Sequence, residues 1–167
     1  MTEMSTHSDQ QTDHRATETA TAATAARGLT AGTTVMTLAG ERRVEDLRPG
    51  DRIITRDTGM AVLRGVTARR LRTRAVAVAA GSLGHTRPDT DMVLPAGQRI
   101  LIRDWRAAAL YAAPSAMIPI ARLIDGQYVR DLGEIELTIY DLGFDAAHVI
   151  YAGGMEVDAP LPAHATA

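Results

Sequence analysis

From residue 33 onward the chain breaks into short apolar runs separated by Gly, Pro and Asp. That is the pattern of many short strands joined by tight turns. It predicts strands over residues 33–37, 52–56, 62–68, 72–79, 92–94, 99–103, 135–140 and 149–152. Several alternate apolar with polar positions, as a half-buried strand does; in 72–79, Ala75, Ala77 and Ala79 alternate with Val76 and Val78. Helix is confined to two short pieces. One spans 105–113 and stops before Pro114; the other, at 120–124, follows Pro119 and stops at Asp125-Gly126. The expected fold class is therefore all-β, a compact arrangement of many short strands and tight turns with one or two short helices.

The first 27 residues contain no bulky apolar side chain apart from Met1 and Met4. Such a segment buries too little surface to offset the entropy of ordering it, and reads as a disordered Ser/Thr/Ala-rich tail. What remains is one domain, 28–162, followed by a short flexible tail at 163–167. A chain of 167 residues suffices for a single core.

Charge narrows the range of partners. Lys and Arg number 18 against 20 Asp and Glu, a formal net charge of -2, which gives no global attraction to nucleic acid or anionic membrane. The basic cluster Arg64, Arg69, Arg70, Arg72 and Arg74 reads as the solvated face of a strand. Cysteine is absent, which excludes disulfides, thiolate metal sites and a thiol nucleophile. No apolar run is long enough to span a bilayer, and the N-terminus lacks the basic and apolar regions of a signal peptide. The expectation is a soluble chain, cytoplasmic or exported by a route other than the general secretory one.

The most informative stretch is segment 32–55, G-T-T-V-M-T-L-A-G-E-R-R-V-E-D-L-R-P-G-D-R-I-I-T. It reads as an apolar strand, a hairpin turn at Ala39-Gly40, a short turn with Val44 and Leu47 facing inward, and a reversal at Pro49-Gly50. Pro presets the first dihedral of such a turn and Gly takes the positive one; Asp51 is placed to bond turn amides. The segment resembles the first block of bacterial Hedgehog/intein (Hint) domains. Three later segments resemble further parts of that family in order and spacing: the loop 79–84, the block 94–102, and 148–154, where His148 opens a strand that ends in Gly153-Gly154.

The resemblance implies a self-cleaving domain. In such a domain a Cys or Ser attacks the carbonyl before it to form an ester or thioester, a His protonates the departing nitrogen, and a second nucleophile resolves the ester. The nucleophile position, four residues before the Gly32-Thr33 pair, falls on Gly28, which has no side chain. The second-block His falls on Gln98, which hydrogen-bonds but does not exchange protons near neutrality. Of the ionisable set only His148 remains, as a general acid or oxyanion donor in the second step, or as a strand-terminal His satisfied by backbone.

The expected role is consequently a degenerate Hint domain acting as a binding or structural module for an unknown peptide or protein partner. Its expected binding surface is a concave face bordered by Gln98, His148 and Gly153-Gly154. The alternative is an active autoproteolytic domain in which a hydroxyl of Thr30, Thr33 or Thr34 attacks with help from His148; alcohols are poor nucleophiles without a base at hand. Ser82, His85 and Asp89 lie close together in sequence, but triad partners are rarely so local, and the segment reads as a solvated loop. No metal, nucleotide or other cofactor is implied. The end of the chain, P-A-H-A-T-A, lacks the Asn that closes a splicing intein, so peptide splicing is not expected.

Overall fold

The computed structural model describes residues 26–161. The segment read as a tail lies outside them as far as residue 25, and so do residues 162–167. Two antiparallel sheets carry the fold. The first orders four strands as β1-β10-β6-β7, with β1 Leu29–Thr30, β6 Gly65–Val78, β7 Met92–Pro95 and β10 Val129–Gly143. The second orders β3-β2-β4-β11-β12-β8-β9, with β5 added on β4. Its strands are β2 Thr34–Thr37, β3 Gly40–Arg43, β4 Arg52–Thr55, β5 Gly59–Val62, β8 Arg99–Ile102, β9 Ala116–Pro119, β11 His148–Ala152 and β12 Met155–Ala159.

The core draws on both sheets. Val35, Ile53, Leu63, Val76, Leu94, Ile100, Ile118 and Ile150 are all essentially inaccessible, and burial of such an aliphatic side chain contributes roughly 1.5–3 kcal/mol. Val44 and Leu47 are buried as their spacing predicts, Gly50 takes φ +96, and Asp51 Oδ2 accepts the Arg48 N–H at 2.9 Å. The first hairpin turn lies at Leu38-Ala39, one residue earlier than expected, because Gly40, at φ +103, opens β3 opposite Thr37.

The largest departure from the sequence reading is a two-stranded ribbon. Residues 62–79 read as two strands, yet β6 runs unbroken for 14 residues against the 15 of β10. Both faces of its middle are exposed, so the alternation that marks a strand is missing there. Ion pairs lace it instead: Arg69–Asp141 at 2.7 Å, Arg74–Asp131 at 2.8 Å, and Arg70 with Glu136. The Arg64–Asp145 pair, at 2.9 Å, closes the base of the ribbon. The basic cluster is thus largely matched by carboxylates across the strand pair. Asp125 starts β10 by accepting the N–H groups of Gln127, Tyr128 and Val129 at 2.8–2.9 Å.

Helix α1, Trp105–Tyr111, is capped by Asp104, whose carboxylate accepts the Arg106 N–H at 2.9 Å. It ends two residues before the expected limit because Ala112 turns left-handed, φ +51, ahead of Pro114. A 3-10 turn covers Ile120–Leu123.

Candidate functional site

The first strand and the start of β8 bring Gly28 and Gln98 together. The Gly28 N–H donates to Gln98 Oε1 at 2.8 Å across 70 residues of sequence. Gln98 is 1% exposed, and its Nε2 donates to the carbonyls of Arg99 and Asp158, each at 3.0 Å. With both amide protons engaged, the orientation of the side chain is fixed: oxygen, not nitrogen, faces Gly28.

Gly28 sits at φ +128, and a Cβ built there would fall inside the Ile139 Cγ2 methyl, with Asp141 Oδ1 and the Tyr140 carbonyl each 3.1 Å away. Ile139 on β10 therefore fills the space that a residue-28 side chain would need. The carbonyl preceding Gly28 is also held. Arg69 Nη2 donates to Arg27 O at 2.9 Å while Arg69 Nε bonds Asp141 Oδ2 at 2.7 Å.

The Arg27–Gly28 peptide is thus gripped at both ends. A guanidinium on its carbonyl would stabilise negative charge developing there. At the nitrogen the polarity is the reverse of what bond cleavage requires, since Gln98 accepts a hydrogen bond from an atom that would have to receive a proton. Among the described residues that line the cleft over this peptide there is no Cys or Ser, and the side-chain hydroxyls are those of Thr67 and Tyr140. Thr30 Oγ1 donates to Val93 O at 2.6 Å, with Thr33 Oγ1 3.4 Å away; neither bonds His148, and neither lines the cleft over the peptide. Thr34 is half-buried on β2 and does not line it either.

That cleft has a volume of about 720 Å³. Arg27, Arg64 and Arg69 border it together with Asp141 and Asp158, and Leu142, Phe144, Ile150, Val157 and Leu161 give it an apolar wall. Gln98 lines it as expected, but His148, Gly153 and Gly154 do not. The glycine pair instead turns against Met92 and Asp89.

His148 has a partner that the sequence did not suggest. Its Nδ1 lies 2.8 Å from Asp57 Oδ2, and Asp57 Oδ1 accepts the Val149 N–H at 3.1 Å. Phe144 packs edge-on against the ring, centroids 5.5 Å apart, and Phe144 itself lines the cleft. Burial alone would raise the Asp57 pKa; the hydrogen bonds from Val149 and His148 outweigh it and hold the carboxyl below its ordinary value. The side chain of His148 is 10% exposed, an oriented imidazole outside the cleft that holds the peptide.

Ser82, His85 and Asp89 form no hydrogen-bonded set: Ser82 Oγ is buried without a partner, and His85 and Asp89 are exposed. Among the described residues no group of three or more His, Asp or Glu is placed to hold a metal ion, and no helix is long and apolar enough to cross a membrane. Asp57 and Ile139 are candidate site residues that the sequence reading does not single out, and Arg69 enters it only as part of the solvated basic cluster. Each acts on a partner 42 or more positions away, a relation that leaves no local motif.

The arrangement of sheets is that of an intein-like domain. The bacterial intein-like domain from Clostridium thermocellum superposes with a TM-score of 0.53 at 12% identity, covering 80% of this chain and 99% of that one. The DnaB intein from Synechocystis superposes at 0.52 with 13% identity, covering 81% and 100%. At such identities the likeness is one of fold. The Hint domain family matches residues 27–164, and the chain belongs to that family. No curated protein matches the chain.

Proposed function

We propose that this chain is a Hint domain that does not cleave itself at Arg27–Gly28, and that the cleft over that bond binds a peptide. The observation that carries the reading is the Gly28 N–H resting on Gln98 Oε1 with Ile139 in the space of the missing side chain. Self-processing needs an attacking atom and a proton donor at that bond. The cleft offers a polarised carbonyl, but its lining holds no Cys, Ser or His, and its hydroxyls are those of Thr67 and Tyr140. Its apolar wall, bordered by ion-paired Arg and Asp side chains, suits an extended segment with one or two apolar side chains.

The test is the intact mass of the full-length protein, followed for a day near neutral pH with and without hydroxylamine or a thiol. The expected result is a constant mass. A fragment beginning at residue 28, or an ester trapped as a hydroxamate, would show that a nucleophile reaches this carbonyl after all. Peptide binding is tested separately by chemical-shift mapping, with perturbations expected at Leu142, Phe144 and Ile150.

A further inference from the structure

A second pocket, of about 330 Å³, shares no lining residue with the cleft. At its wall lies Glu156 of β12, only 2% exposed. Its Oε1 accepts from Arg56 Nη1 at 3.0 Å and from Arg103 Nη2 at 2.8 Å. Arg87 Nη1 is the third cation, 3.8 Å from Oε2 and beyond hydrogen-bond reach. Glu156 Oε2 is buried and has no hydrogen-bond partner.

Three guanidiniums around one carboxylate leave surplus positive charge, and each guanidinium keeps N–H donors beyond those that Glu156 takes. Asp104, also at the pocket, is engaged by Arg106. The chain reaches Arg87 through two consecutive non-glycine residues in the left-handed region, His85 at φ +51 and Thr86 at φ +58. Such backbone is costly and concentrates at sites where a side chain must be placed. Leu83, Ile100 and Ile102 add an apolar wall.

The pocket therefore presents donors for an anion beside one buried acceptor that lacks a donor. Sulfate or a carboxylate satisfies the arginines but sets a second acceptor against Glu156 Oε2, which is unfavourable in a buried site. We propose that the pocket binds an oxyanion that keeps a proton, a hydrogen phosphate group, with its bare oxygens on Arg87 and Arg103 and its P–OH donating to Glu156 Oε2. Inorganic phosphate carries such a proton throughout the neutral range, whereas a phosphate monoester loses it near about pH 6.

Calorimetric titration of the full-length protein at constant ionic strength tests this with inorganic phosphate, phenyl phosphate and sulfate. Inorganic phosphate is expected to saturate one site and to bind about tenfold or more tighter than sulfate. Phenyl phosphate binding tighter than inorganic phosphate at about pH 5.5, and weakening above about pH 6.5, assigns the site to an ester; equal or weaker binding assigns it to the free ion. Arg87→Gln, at a side chain that makes no hydrogen bond to Glu156, is expected to weaken phosphate about tenfold with the melting temperature nearly unchanged. Glu156→Gln is expected to abolish the preference over sulfate; if that variant does not fold, the comparison on the unaltered protein still decides. Sulfate binding as tightly as phosphate, no phosphate binding at about 10 mM, or an Arg87→Gln protein that binds like the parent would overturn the proposal.

Discussion

Ile139 occupies, with its Cγ2 methyl, the position that a side chain on Gly28 would take. Ile139 is fully buried on β10 and pairs with Thr30 and Arg69 across the first sheet. Placing a nucleophile at residue 28 is accordingly a problem of space and backbone as well as of chemistry.

Gly28→Cys is expected to destabilise the protein by roughly 2 kcal/mol or more, from a left-handed non-glycine backbone together with overpacking, and to yield no thioester. Combining it with Ile139→Ala should cost less than the sum of the two single changes. Chemical denaturation of the four proteins of that cycle measures the coupling. Strict additivity would mean that the methyl does not guard the site.

Gln98 makes three hydrogen bonds from a buried position. Gln98→Ala leaves the Gly28 N–H and two carbonyls without their partner and opens a cavity, for an expected loss of about 3 kcal/mol. Gln98→His is expected to destabilise as well and to leave the intact mass constant, because a proton donor without an attacking atom cleaves nothing. Self-cleavage in the Gln98→His protein would contradict the proposed function.

The Asp57 carboxyl is held below its ordinary pKa in the folded protein. A depressed carboxyl contributes stability above its unfolded pKa, and this is lost as pH falls through the lower folded value. Stability should therefore be level with respect to this group above about pH 4 and decline below it. Asp57→Asn should flatten part of that acid limb, and the Nδ1 environment of His148 should change in its nitrogen NMR spectrum. An unchanged acid limb would remove the Asp57–His148 contact from the stability of the fold.

Each ion pair along the ribbon is partly exposed, so each contributes no more than about 1 kcal/mol. Asp131 is held below its usual range chiefly by its hydrogen bond from Arg74, with a further one from the Gly133 N–H. Arg74→Ala should lower the melting temperature only slightly, and raising salt to about 1 M should abolish most of that difference. A large drop that salt does not alter would point to packing of the Arg74 stem instead.

The legibility of the sequence followed burial. Val44, Leu47, Gly50 and Asp51 announced their turns because a half-buried chain exposes its logic in alternation and in turn chemistry. β3, with G-E-R-R fully exposed, did not, since it carries no apolar face. The ribbon was cut in two for the same reason. β12 alternates buried Met155, Val157 and Ala159 with Glu156 and Asp158, a strand pattern that the sequence reading passes over. At the site, Gly28 and Gln98 were found through family spacing, and the structure places them in contact. The roles of Asp57 and Ile139, and the contact of Arg69 with the Arg27 carbonyl, depend on pairing across the sheets, which no window of sequence contains. His148 lies on the same face of β11 as the cleft-lining Ile150 but outside the lining itself, and Gly153-Gly154 turn against Met92 and Asp89, a separation that the order of the family's blocks does not report.

The filled space beside Gly28 also bears on ancestry. If a chain of this kind once carried a nucleophile, the route back is no longer a single step: a Cys or Ser at residue 28 meets the Ile139 methyl, and a smaller residue at 139 opens a hole while the glycine remains. Each change alone costs stability before any chemistry can reward it. In such a history, loss of the side chain would be self-sustaining, a ratchet cut by packing.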